Sequence, residues 1–119
     1  MTENPNKNPY NLEERTYQFA LNIATYCAKL LKTTVNIEYS RQLIRSSGSV
    51  GANYIEANEA LSKKDFKMRI KICLKESKET AYWLRLIIEI NGDEFKEQGK
   101  RLFNEAVELK KIFSSILLK

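Results

Sequence analysis

SKKDFKMRIKICLKESKETAYWLRLIIEINGD, residues 62–93, reads as a helix from its start signal to its stop. Ser62 with Asp65 three residues on has the form of a capping box, in which the side chain of the first residue takes up an otherwise unpaired backbone N–H. Phe66, Ile70, Cys73, Ser77, Ala81, Leu84 and Ile88 then recur at three- and four-residue steps, the spacing of one helical face. Asn91-Gly92-Asp93 ends the pattern. Glycine suits a left-handed residue after a helix, and aspartate suits the N-cap of the next one. A helix over about 63–90 is expected.

The same reading extends in both directions. Residues 1–10 are polar, hold both prolines of the chain (Pro5 and Pro9), and read as a flexible leader. Asn11 with Glu14 opens a helix over about 11–32, whose stripe is Leu12, Phe19, Ile23, Tyr26, Cys27 and Leu30. A second helix is expected over about 36–61. Ile37, Ile44, Gly51, Ile55 and Asn58 share one of its faces, with Leu43, Val50, Tyr54 and Leu61 beside them.

Its centre, Ser46-Ser-Gly-Ser-Val-Gly-Ala52, is nearly all small side chains, and each glycine costs a helix about 1 kcal/mol relative to alanine. A continuous helix is still expected, because Ser46, Ser47, Gly48, Ser49, Gly51 and Ala52 allow another helix to approach closely. A fourth helix over about 93–118 lines up Phe95, Gly99, Leu102, Ala106, Leu109, Phe113 and Ile116. From residue 10 onward there is no proline, and the whole chain has four glycines, so the turns of a sheet protein are missing. With 119 residues there is room for one domain. The fold class is all-α, an antiparallel up-down-up-down four-helix bundle.

Composition removes most chemistry. Without histidine there is no imidazole base, no Ser-His-Asp or Cys-His triad and no imidazole metal ligand. Cys27 and Cys73 lie far apart inside apolar helical patterns and read as buried small hydrophobes in a reducing compartment. No apolar run approaches the roughly 18 residues that span a bilayer, and the N-terminus lacks a signal peptide's apolar core. A cytoplasmic, bacterial-type, non-enzymatic protein with no cofactor, metal or membrane partner is expected. Two E-x-x-E pairs, Glu56/Glu59 and Glu76/Glu79, have the look of a di-metal bundle, but that chemistry uses Glu-x-x-His. Arg41, Arg45 and Arg69 are their expected partners, and Asn53 and Asn58 are expected to hydrogen-bond between helices. Asn53, Glu56, Glu76 and Glu79 thus read as structural polar residues.

The third helix carries two further faces. Met68, Ile72, Trp83, Leu86 and Ile90 fall together on nearly the opposite side from its core stripe, and such a patch asks for a partner. A homo-oligomer interface is expected there. Lys63, Lys67, Lys71, Lys75 and Lys78 follow steps of 4, 4, 4 and 3, with Lys64 alongside and Arg85 two turns further. Residues 1–60 hold six basic and six acidic side chains, whereas 61–119 hold 14 and nine, which accounts for the whole net charge of +5. Like charges stacked at i,i+4 disfavour the isolated helix. The pattern points to a polyanion, most commonly RNA or other nucleic acid. The alternative is a scaffold whose oligomer binds another protein, with the lysines serving solubility.

Two blocks carry a family resemblance. Arg41-Gln-Leu-Ile-Arg45-Ser-Ser-Gly-Ser-Val-Gly-Ala-Asn-Tyr-Ile-Glu56-Ala resembles the signature of the four-helix-bundle family of 23S rRNA intervening-sequence proteins. Asp65-Phe through Ile72-Cys-Leu-Lys-Glu76-Ser-Lys-Glu79-Thr-Ala-Tyr82-Trp-Leu-Arg-Leu is similar to that family's third helix. The resemblance covers roughly 12–118. It implies a homopentamer, no catalytic residues, and kinship with accessory variability proteins of diversity-generating retroelements, which associate with a reverse transcriptase and its template RNA. It maps the small-residue run to close helix packing and Glu76 and Glu79 to a structural role.

Overall fold

The computed structural model describes residues 11–119, so the expected leader at 1–10 lies outside the described residues. Four helices follow one another: α1 Leu12–Ala28, α2 Thr34–Asn58, α3 Lys63–Ile90 and α4 Lys96–Leu117. Local side chains set three of the starts. Asn11 accepts from the Glu14 N–H at 3.4 Å, Thr33 from the Asn36 N–H at 3.1 Å, and Ser62 from the Asp65 N–H at 3.0 Å. Each contact satisfies one of the orphan donors at a helix N-terminus. The fourth start has no side-chain cap and is entered through one 3₁₀ turn, Asp93–Phe95.

Several boundaries differ from the sequence reading. α1 stops four residues before 32, because Thr33 caps α2 and the Asn36 amide donates to the Leu31 carbonyl at 3.0 Å, drawing the chain into the turn. α2 stops at Asn58, leaving Leu61 outside it and 99% exposed. No glycine takes a positive φ, and Gly92 sits at φ −77°. Asn91 does the work assigned to Gly92: its amide donates to the Ile87 carbonyl at 2.9 Å, so no left-handed residue is needed.

α2 packs most extensively on α3, α3 on α4, and α1 on α2, while the α1–α4 seam closes the bundle lightly. Arg15 clasps Glu105 across that seam with two bonds of 2.7 and 2.8 Å. Phe19, Ile23 and Tyr26 meet Leu43, Val50, Ile70, Leu84, Ile87, Leu109 and Phe113 in one core. Each such aliphatic side chain contributes about 1.5–3 kcal/mol by leaving water.

The two central helices bury a different part of α2 from the stripe led by Ile37. Ile37, Ile44 and Ile55 are 44–46% exposed, and Leu43, Val50 and Ala57 are buried with Ser46 and Ser47. Small side chains let α2 seat on α3. The Ser46 and Thr80 hydroxyls meet at 2.9 Å, and the Cys73 thiol donates to the Val50 carbonyl at 3.4 Å. A Cβ on Gly51 would come within 3.0 Å of Thr16 Oγ1 on α1. Gly48 and Ala52, by contrast, are exposed, and nothing among the described residues lies within 4 Å of a Cβ built on Gly48. Close packing within the chain therefore applies to Ser46, Ser47 and Gly51 but not to Gly48 or Ala52.

Candidate nucleic-acid interface

Lys63, Lys64, Lys71, Lys75, Lys78 and Arg85 are exposed along the outer side of α3, and Lys67 is half-buried among them. The side is outer because α3 packs between α2 and α4 and turns its remaining arc to water, away from α1. Among the described residues none of the seven cations makes an ion pair; the bridges that form lie elsewhere. Seven uncompensated positive groups thus share one face, with Glu89 one turn beyond Arg85 as its acidic boundary.

The face continues onto α4. A shallow groove of about 260 Å³ runs between Lys78, Tyr82 and Arg85 on one bank and Lys110 on the other, over Ala81, Phe103 and Val107. Lys110 was missed in sequence. Its signal was the three- and four-residue spacing with Phe103 and Val107, a flank of helix four that turns toward helix three. The Tyr82 ring is 57% exposed and is braced edge-on by Trp83 at 5.1 Å. Cations flanking a presented aromatic face can neutralise phosphates and stack a base.

The acidic pair has a different task. Arg45 of α2 reaches Glu79 at 3.0 Å and the buried Glu76 at 3.4 Å, joining α2 to α3. Arg69 donates to Asn53 at 3.0 Å, and Asn58 donates to Glu13 of α1 at 2.8 Å. Arg41 pairs within its own helix with Glu38. Glu56, expected with these structural residues, is exposed, and its side chain makes no ion pair or hydrogen bond among the described residues. Among the described residues no cluster of three metal-ligating side chains occurs.

The apolar side of α3 is less open than its sequence suggests. Met68 and Ile90 are about half exposed, but Ile72, Trp83 and Leu86 are partly covered. The Trp83 ring packs against Tyr39 of α2 at 5.6 Å, and its Nε1–H is buried without a partner among the described residues. The stripe lies about 110° round the helix from the core, not opposite it, so α2 overlaps its edge. Both thiols are inert by position: burial pushes Cys73 up to about 12 and also raises Cys27.

The model described as 23S rRNA-intervening sequence protein matches residues 10–115. The chain belongs to that family. A crystal structure of a protein of unknown function from the S23 ribosomal protein family, from Bacteroides thetaiotaomicron VPI-5482, is 34% identical. The match covers 91% of this chain and 99% of that one, with a TM-score of 0.80. No curated protein matches the sequence. No described helix is long and apolar enough to cross a membrane.

Proposed function

We propose that the chain is a non-catalytic, self-associating bundle that binds structured RNA through the outer face of α3. One observation carries this reading: seven unpaired cations along a single helix face, continued by Lys110 across the α3–α4 groove. A helix used only for solubility gains from mixed signs, whereas this one stacks like charges at i,i+4. The family description, which names an insert in 23S rRNA, supports RNA over other polyanions. Lysines on flexible stems neutralise phosphates without reading base edges, so affinity falls steeply with salt and depends weakly on sequence.

The test is a fluorescence-anisotropy titration of a labelled structured RNA and a DNA duplex across a salt series. Lys67→Glu with Lys71→Glu is expected to lower the slope of log K against log salt by roughly 1.4–1.8, about 0.7–0.9 for each lost phosphate contact. Helicity should be unchanged. No binding to RNA at low salt, or an unaltered slope in the double variant, refutes the reading. Tighter binding to the DNA duplex would replace RNA with DNA as the ligand.

A further inference from the structure

We infer that the groove between α3 and α4 seats one unpaired base of the bound RNA, stacked on Tyr82. The chain then selects RNA in which a helical stem runs into single-stranded nucleotides. The inference rests on the lysine-face reading proposed above and names the part of the RNA that this face prefers.

The two ends of the cationic face differ in kind. From Lys63 to Lys75 the helix runs about 18 Å. Over that length Lys63, Lys64, Lys71 and Lys75 are exposed, Lys67 is half-buried, and no aromatic ring is exposed. Such a row offers charge alone, which suits the phosphates of a stem. Tyr82, about 10 Å beyond Lys75 along the axis, has Lys78 one turn before it and Arg85 one turn after. Lys110 of α4 stands on the opposite bank of the groove.

The Tyr82 ring is held as a platform. Trp83 meets it at 76° with centroids 5.1 Å apart, and Trp83 is itself packed on Tyr39 of α2. An edge contact of this kind covers at most one face of Tyr82 and leaves the other open. Phe103 lines the same groove, yet among the described residues neither ring stacks on a ring of the other helix. An apolar slot rimmed by three cations matches an unpaired nucleotide, whose base is flat and apolar on its faces and whose flanking phosphates are anionic.

Size limits the occupant. Pockets that enclose a whole drug-sized ligand run about 300–1,000 Å³, whereas this groove measures about 260 Å³. It takes one ring system and leaves the sugar and phosphates outside, within reach of the rim cations. A paired base is already stacked inside its stem, so only an unpaired one can enter. Every base has a π-face, so the preference is for structure and not for sequence.

The experiment is an anisotropy titration of three labelled RNAs: a blunt duplex, the same duplex with a short single-stranded extension, and that extension made of abasic nucleotides. The two extensions carry equal charge and differ only in their bases. Wild type is expected to bind the base-bearing extension at least about fivefold tighter than the abasic one, the low end of what one base–aromatic stack contributes. Tyr82→Ala should erase that difference and Tyr82→Phe should keep it, with binding to the blunt duplex unchanged in both. Lys110→Glu, clear of the Tyr82–Trp83 contact, guards against a misfolded Tyr82 variant and should weaken the base-bearing extension more than the blunt duplex. Lys67→Glu with Lys71→Glu should weaken all three RNAs. Equal affinity of the wild type for the two extensions overturns the inference while leaving the lysine face standing, as does a Tyr82→Ala variant that keeps the preference. No binding of any of the three refutes the lysine face, and this inference with it.

Discussion

Replacing Gly99 with alanine isolates the tightest approach in the bundle. The new Cβ would lie 2.6 Å from Ile88 Cγ1 and 2.7 Å from the Tyr26 hydroxyl, with Ile88 Cδ1 at 3.1 Å. Carbon contacts are optimal near 3.5–4.0 Å, so the first of these is about 1 Å too short. Neither neighbour yields easily. Ile88 is branched at the carbon that carries the clashing arm, and the Tyr26 hydroxyl is committed to the Phe95 carbonyl at 3.3 Å. Overpacking of this kind costs about 1–3 kcal/mol. Alanine returns up to about 1 kcal/mol through helix propensity, so a net loss of about 1–2 kcal/mol is expected. The melting temperature should fall by roughly 4–10 °C. Gly92→Ala is the control: its Cβ meets nothing within 4 Å and its φ is −77°, so it should be neutral or slightly stabilising. Thermal and guanidinium unfolding followed by circular dichroism, at matched protein concentration, compare the two. A Gly99→Ala protein as stable as the wild type would refute the close α1–α3–α4 packing.

Three further outcomes follow from the same contacts. Arg45→Ala strands the buried Glu76 carboxylate and should cost about 1–3 kcal/mol in guanidinium unfolding, while Glu79→Gln, at a more exposed carboxylate, should cost less than about 1 kcal/mol. Equal effects would show that Glu76 needs no partner. Trp83→Phe removes the unpartnered Nε1–H and keeps the ring against Tyr39, so stability should change by less than about 1 kcal/mol; a large loss in unfolding free energy would mean that the nitrogen has a partner. Burial raises Cys73 from 9.0 to about 12, and burial followed by the Cys27 charge raises Tyr26 from 10.0 to about 12. Both groups fold as neutral acids, so their contribution is fully present below about pH 9 and is lost as pH climbs toward about 12. Guanidinium midpoints should decline above pH 9, less steeply in Cys73→Ala, and a flat profile to pH 11 would contradict the burial.

Much of this fold is legible in one dimension because α1 and α4 each have a single strong apolar stripe. Leu12, Phe19, Ile23, Tyr26, Cys27 and Leu30 are all buried, as are Leu102, Ala106, Leu109 and Phe113. α2 defeats the same logic. Its isoleucines look like core, yet the buried positions include Ser46 and Ser47, whose hydroxyls find carbonyls one turn back at Leu43 and Ile44. A serine paired in this way can be buried at little penalty, and its small size lets α3 come close. Hydrophobicity alone cannot choose between two stripes when the smaller one packs better. The lysine face was readable because a run of cations at helical spacing must share a side. Lys110 was not, because only the α3–α4 contact brings it to that side.

The lightly closed seam between α1 and α4 has a dynamic consequence. Beyond the close approach of Tyr26 to Gly99, α1 is tied to α4 by the Arg15–Glu105 clasp and the contact of Lys29 with Gln98, so it is the helix that can open at the lowest free energy. In the self-associating bundle proposed above, a neighbouring copy that covers α1 would hold that helix down, and assembly and closure become linked equilibria. Amide exchange in α1 would then slow with protein concentration while the α2–α3 pair stays constant, which makes one helix a reporter of how many chains have come together.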